Sequence, residues 1–131
     1  MNKMQITITT NSRNQMIDIT AQISKAVKEM HIKDGKITLH VPHTTAAVTI
    51  NENADPSVQH DLMFSLSRIS PILKEFRHLE GNSDSHLKSS LIGCTQDIIV
   101  ENGQLFLGTW QGIFFCEFDG PRTRKLYIFA N

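Results

Sequence analysis

The sequence has no run of like charges, no long apolar stretch and no close cysteine pair, and each absence narrows what the chain can be. Thirteen Lys and Arg balance thirteen Asp and Glu, a formal net charge of zero. A generic binder of nucleic acid or of a membrane surface needs an excess of basic residues on one face, so neither partner is expected, although a local anion site stays open. No window approaches the roughly 20 apolar residues of a membrane helix. Met1 to Thr10 alternates apolar and polar residues and lacks the basic and apolar regions of a signal peptide. The two cysteines, Cys94 and Cys116, form no C-x-x-C unit, so two buried free thiols are expected rather than a disulfide, with the cytoplasm as the default location.

What is present fits one domain. The chain has 131 residues, 40% of them hydrophobic and 20% charged, enough to bury a core without staples. Gln5–Thr9 alternates with the period of a strand, and Gln15–Ile19 reads as its partner across Asn11–Asn14. From Thr20 the spacing of Ile23, Val27 and Met30 is helical, and Gly35 follows in a turn. Lys36–Val41 alternates again, with Ile37, Leu39 and Val41 inward, and Ala46–Ile50 is a further strand. Asp55-Pro56 is a strong helix start, followed by an apolar stripe of Val58, Leu62, Leu66 and Ile69. Another helix begins at Ser83, with Leu87, Leu91 and Ile92 expected inward and Gly93 as the stop.

The last third reads as a β meander. Gln96–Val100 and Gln104–Leu107 flank Asn102-Gly103, the dipeptide suited to a type I′ turn, and Ile113–Phe118 and Lys125–Phe129 flank Asp119–Arg122. The pattern predicts an α+β fold, mainly antiparallel, with about three helices and about eight strands. A sandwich or barrel-like arrangement would hide their edges.

Chemistry concentrates on histidine. Of six, His31, His40 and His60 sit where solvation or a local hydrogen bond accounts for them. His43 ends a strand, His78 precedes a glycine turn, and His86 lies in the first turn of the next helix. His78 and His86 are eight residues apart across that turn and can converge on a metal, with Glu80, Asn82 and Asp84 able to orient them; capping and local bonding stay open. The Gly81–Asp84 turn exposes backbone N–H groups suited to phosphate, while Asp84 itself opposes an anion. Glu52 and Asp61 are candidate bases, whereas Asp55 and Asp119 are read as capping and turn residues. Arg122 and Arg124 bracket the last turn and suit an anion. Trp110 is expected in the core or a subunit interface.

Six blocks in order carry a resemblance: His43-Thr-Thr-Ala46, Asn51-Glu-Asn53, His78-Leu-Glu-Gly-Asn82, Ser85-His-Leu87, Leu107-Gly-Thr-Trp-Gln111 and Glu117-Phe-Asp-Gly-Pro-Arg122. Together they resemble the YjbQ family over nearly the whole chain. Ser85 departs from the alanine common at that place. The resemblance implies one YjbQ-like domain over residues 1–131, assembled as a homotrimer. It also implies a divalent metal, with zinc the expected ion, on His43, His78 and His86. A weak, secondary thiamine-phosphate synthase activity follows from the same resemblance: joining hydroxymethylpyrimidine diphosphate to thiazole phosphate and releasing pyrophosphate. Glu52, Asp61 or Glu80 would then move protons or orient a ligand, and Asn82, Lys88, Arg122 and Arg124 would bind the phosphorylated molecule. A zinc-dependent hydrolase and a non-catalytic phosphometabolite-binding trimer are the alternatives. A structural zinc is disfavoured because the motifs offer no fourth His or Cys.

Overall fold

Every strand in the structure pairs antiparallel, and the alternation of apolar residues decides which face of each strand turns inward. A computed structural model describes residues 2–131. The elements run β1 (Asn2–Thr9), β2 (Gln15–Asp18), α1 (Thr20–Glu29), β3 (Gly35–His40), β4 (Ala46–Glu52) and α2 (Pro56–Ile69). They continue with α3 (Ser83–Ile92), β5 (Thr95–Glu101), β6 (Gln104–Leu105), β7 (Gln111–Glu117) and β8 (Thr123–Ala130). The sheets have orders β1-β8-β3-β5-β6 and β2-β7-β4 and form a half-barrel. The expected α+β class, three helices and antiparallel layout are all present.

The main core lies between the two sheets and under α1. Ile37, Leu39, Leu126 and Ile128 come from the larger sheet, Val48, Ile113 and Phe115 from the smaller, and Ile23 and Val27 from α1. A fully buried aliphatic or aromatic side chain contributes about 1.5–3 kcal/mol, so these residues dominate the fold's cohesion. A second cluster, Ala47, Phe114, Cys116 and Phe118, lies on the other face of the smaller sheet and is covered by Met63, Leu66 and Ile92. The molecule is therefore layered: large sheet, core with α1, small sheet, then α2 and α3.

Three expectations are corrected. β1 does not pair with β2: its partner is β8, while β2 pairs with β7 in the other sheet. The β7–β8 segment is likewise no hairpin, because the turn at Asp119–Arg122 carries the chain from one sheet to the other. The two crossings hold each other, since Thr10 N–H donates to the Arg122 carbonyl at 2.9 Å and Gly120 N–H to the Arg13 carbonyl at 3.1 Å. Alternation reports a strand's faces but not its neighbour, and the corner bonds decide the pairing. The third correction concerns α3, which buries Asp84, Ser85, Lys88 and Ser89 and turns Leu87 and Leu91 outward. The Asn102-Gly103 turn does close the β5–β6 hairpin, with positive φ at both residues (52° and 76°), as a type I′ turn requires. Among the described residues no helix is long and apolar enough to cross a membrane.

Candidate functional site

Four chain segments meet at one end of the half-barrel. The β3–β4 loop supplies His43, the turn before α3 supplies His78 and Glu80, α3 supplies His86, and the β7–β8 corner supplies Asp119 and Arg122. With Asn82 and Arg124 they line a cavity of about 410 Å³. Short loops between rigid strands fix His43 and Arg122. The glycine at 81, with φ of 73°, lets the chain reverse between His78 and His86.

The His78 and His86 rings stand 5.4 Å apart, centroid to centroid, nearly perpendicular to each other. Two imidazoles sharing one tetrahedral ion at ordinary zinc–nitrogen distances place their centroids about 5 Å apart, so this pair has the spacing of co-ligands. Glu80 Oε1 lies 4.0 Å from His78 Nε2. His43 lines the same cavity, but its Nε2 accepts the Lys125 backbone N–H at 2.9 Å. In that tautomer Nδ1 carries the proton, leaving no free lone pair for an ion until the bond to Lys125 breaks. Accordingly, no group of three His, Cys, Asp or Glu side chains among the described residues is assembled to hold a metal. His78 and His86 are the two imidazoles that stand close together, while His43 stays bound to the Lys125 N–H. Burial, and after it the Arg124 charge, lowers the His43 pKa and favours the neutral ring.

Behind the cavity lies a buried ion pair. Glu117 is fully buried and accepts from Arg124 Nε at 2.9 Å, Thr10 Oγ1 at 2.8 Å and the Asp119 backbone N–H at 3.0 Å, with a further close contact to Arg124 Nη2. Burial pushes the Glu117 carboxyl up, but Arg124 and the other donors together hold it below the usual carboxylate range. Arg124 Nη2 also donates to Thr45 Oγ1 at 2.8 Å, and the Arg124 side chain, although buried, forms part of the cavity wall. Arg122 is exposed and donates to Asp119 through Nε and Nη2.

Other predicted residues lie in different surroundings. Asn82 lines the cavity, yet its amide donates to Asp119 at 2.8 Å and toward Glu80 at 3.4 Å; its buried Oδ1 has no partner among the described residues. It faces two acids, so its amide is not free for an anion. Lys88 is buried, donates to Asn14 and lies 3.6 Å from Asp84, and it does not line the cavity. Burial also lowers the Lys88 pKa. Asp84 is a structural anchor, gripped by Arg13 through two bonds of 3.0 and 3.1 Å. Glu52 ends β4, about 20 Å along the strand from Ala46 at the site end, and the structure does not bring it to the cavity. Asp61 is exposed on α2 beside His60 and is also remote from it.

Several residues sit otherwise than their sequence context indicated. Asp119, read as a turn residue, lines the cavity and joins Asn82 to Arg122. Cys94, expected buried, is exposed, and Trp110, expected in the core or a subunit interface, is 62% exposed and so lies outside the core of this chain. Ser85 accepts from Arg13 and donates to the Phe118 carbonyl at 2.6 Å, so this departure from the motif adds an anchor under His86.

The family described as UPF0047 protein YjbQ-like matches residues 4–130. A UPF0047 protein of Methanocaldococcus jannaschii is 58% identical over 92% of this chain and 88% of its own length. The UPF0047 protein YugU of Bacillus subtilis is 52% identical over 92% of each. The crystal structure of a YjbQ/UPF0047 family protein from Clostridium acetobutylicum superposes with a TM-score of 0.93 at 49% identity, covering 96% of this chain and 98% of that one. A protein of unknown function from Sulfolobus solfataricus gives 0.91 at 29% identity, covering 96% and 93%.

Proposed function

The chain belongs to the YjbQ-like family UPF0047, and from that premise we propose that its histidine-lined cavity binds a divalent cation together with a phosphorylated small molecule. The observation that carries this reading is the co-ligand spacing of His78 and His86 in a cavity shared with His43, Arg122 and Arg124. Neutral imidazoles suit zinc, and such an ion, when bound, would stabilise charge on a leaving phosphate. His78 and His86 hold the cation, and His43 joins them by releasing Lys125. Glu80 orients His78, while Arg124 and Arg122 receive the anion. The reaction that suits this set is a thiamine-phosphate synthase-like transfer, in which hydroxymethylpyrimidine diphosphate and thiazole phosphate join and pyrophosphate leaves. Developing negative charge on pyrophosphate would be met by preplaced guanidinium groups at little reorganisation cost.

Two experiments test this. Elemental analysis should find metal in the purified protein and only background in His78→Ala or His86→Ala; full metal content in both would sink the site. Purified protein should condense the two thiamine precursors in a chelator-sensitive manner. Equal turnover by His43→Ala would mean a contaminant or another site.

The same proposal extends to assembly and location. A homotrimer is supported by apolar side chains left exposed on α2, α3 and the segment between them, among them Phe64, Ile69, Ile72, Leu79 and Leu91. The cytoplasm suits Cys94, an exposed free thiol.

A further inference from the structure

Of the two arginines in the cavity wall, Arg124 is buried, whereas the Arg122 side chain is 49% exposed. An exposed arginine ordinarily keeps its rotamer freedom, but this one is tied at both ends. Its backbone N–H donates to Thr10 Oγ1 at 2.8 Å, and its carbonyl accepts the Thr10 N–H at 2.9 Å. Its guanidinium donates through Nε to the Asp119 carbonyl at 2.7 Å and through Nη2 to Asp119 Oδ2 at 3.0 Å. Two bonds from one edge of a planar group fix its plane.

Asp119 is itself held. Its side chain is 15% exposed, its N–H donates to Glu117 Oε2 at 3.0 Å, and its Oδ2 accepts from Asn82 Nδ2 at 2.8 Å. Asn82 keeps this donor role although its own Oδ1 is buried without a partner among the described residues, which is destabilising. Turning the amide over would set that oxygen against Asp119 and Glu80, so the two acids decide its orientation. An ion pair with an exposed partner adds little to stability, so the main effect of this chain of contacts is on where the guanidinium stands.

We propose that Asp119 is a positioning residue of the cavity's anion half: anchored by Asn82, it holds the Arg122 guanidinium in place to receive a phosphate. This rests on the phosphate reading of the cavity and adds the residues that set its geometry. By charge alone, a carboxylate in the wall opposes an anion, and its removal should tighten binding. As a positioning group, its removal frees a long side chain that the anion must then immobilise, and binding should weaken. The two effects differ in sign.

Inorganic pyrophosphate is titrated into the full-length protein by calorimetry. Asp119→Ala and the near-isosteric Asp119→Asn should each weaken binding about three- to tenfold, the range expected when one rotamer-rich side chain must be ordered. Asn82→Leu changes no charge and should weaken it in the same sense. In an Arg122→Ala background none of the three should weaken binding further, whereas a merely structural role would give the same loss with or without Arg122. Unchanged or tighter binding in any of the three, an equal loss with Arg122 absent, or parental affinity in Arg122→Ala would overturn the positioning role. A parent that does not bind pyrophosphate would remove the phosphate reading as well.

Discussion

Glu117 shows how a residue behind the site governs it. Its carboxylate is fully buried and satisfied by Arg124, Thr10 and the Asp119 N–H. Removing one partner of such a pair leaves an uncompensated charge in the interior. Glu117→Gln should therefore lower stability by about 3–5 kcal/mol in urea unfolding. A loss below about 1 kcal/mol, the scale of an exposed pair, would mean that water reaches Arg124. The fully buried position follows from the corner around it. A Cβ on Gly120 would meet the Ser12 carbonyl at 2.4 Å and Glu117 Cγ at 2.8 Å, so only glycine lets the two sheet crossings close over this carboxylate. The sequence marked Glu117 as acidic and Gly120 as a turn residue, but not their mutual contact.

At the scale of elements, α2 was legible and α3 was not. Asp55 accepts from Ser57 N–H at 2.9 Å and Pro56 occupies the first turn, as local chemistry requires. On α3 the leucines occupy the outward face while Asp84, Ser85, Lys88 and Ser89 point inward. Lys88 on α3 itself stands 3.6 Å from Asp84, but the two hydrogen bonds that hold the inward carboxylate come from Arg13 in the β1–β2 loop, and nothing near α3 in sequence announces Arg13. A helix whose outer face carries Leu87 and Leu91, beside an α2 that buries no residue within this chain, is suited to contact another copy. Leu87→Glu with Leu91→Glu should leave the helical circular dichroism and the thermal midpoint nearly unchanged while sedimentation shows a loss of oligomer. A parent that sediments as a monomer, or a variant that sediments as an oligomeric parent does, would count against a contact on this face.

For the whole molecule, acid is the expected weakness. Glu117 and Asp97 are both held below their ordinary pKa values, Glu117 by Arg124 against the opposing push of burial, and Asp97 by bonds from Thr38 and Lys36. Between the folded and unfolded pKa of such a group the unfolded chain binds more protons, so the stabilisation is complete above the unfolded value and lost as pH falls through the folded one. The urea midpoint should stay level from pH 7 to about 5, then drop below about pH 4.5, where unfolded carboxyls begin to protonate. Glu117→Gln should show a shallower drop. A midpoint that holds to pH 3 in the parent would contradict these shifts.

By itself the sequence determined the elements: period-two strands, the Asp55-Pro56 helix start, the Asn102-Gly103 turn and three histidines near element ends. These depend on φ/ψ preferences and on which side chains alternate, all of which act over a few residues. Only the tertiary structure decided that β1 joins β8, that α3 buries its polar face, and that His43 enters the cavity with Nε2 bound to Lys125. Those outcomes depend on partners 71 to 112 residues away, such as Arg13 for Asp84, Lys125 for His43 and Arg122 for Thr10. Whether a polar group is stable indoors is settled by the partner it finds there, and local spacing carries no record of that partner.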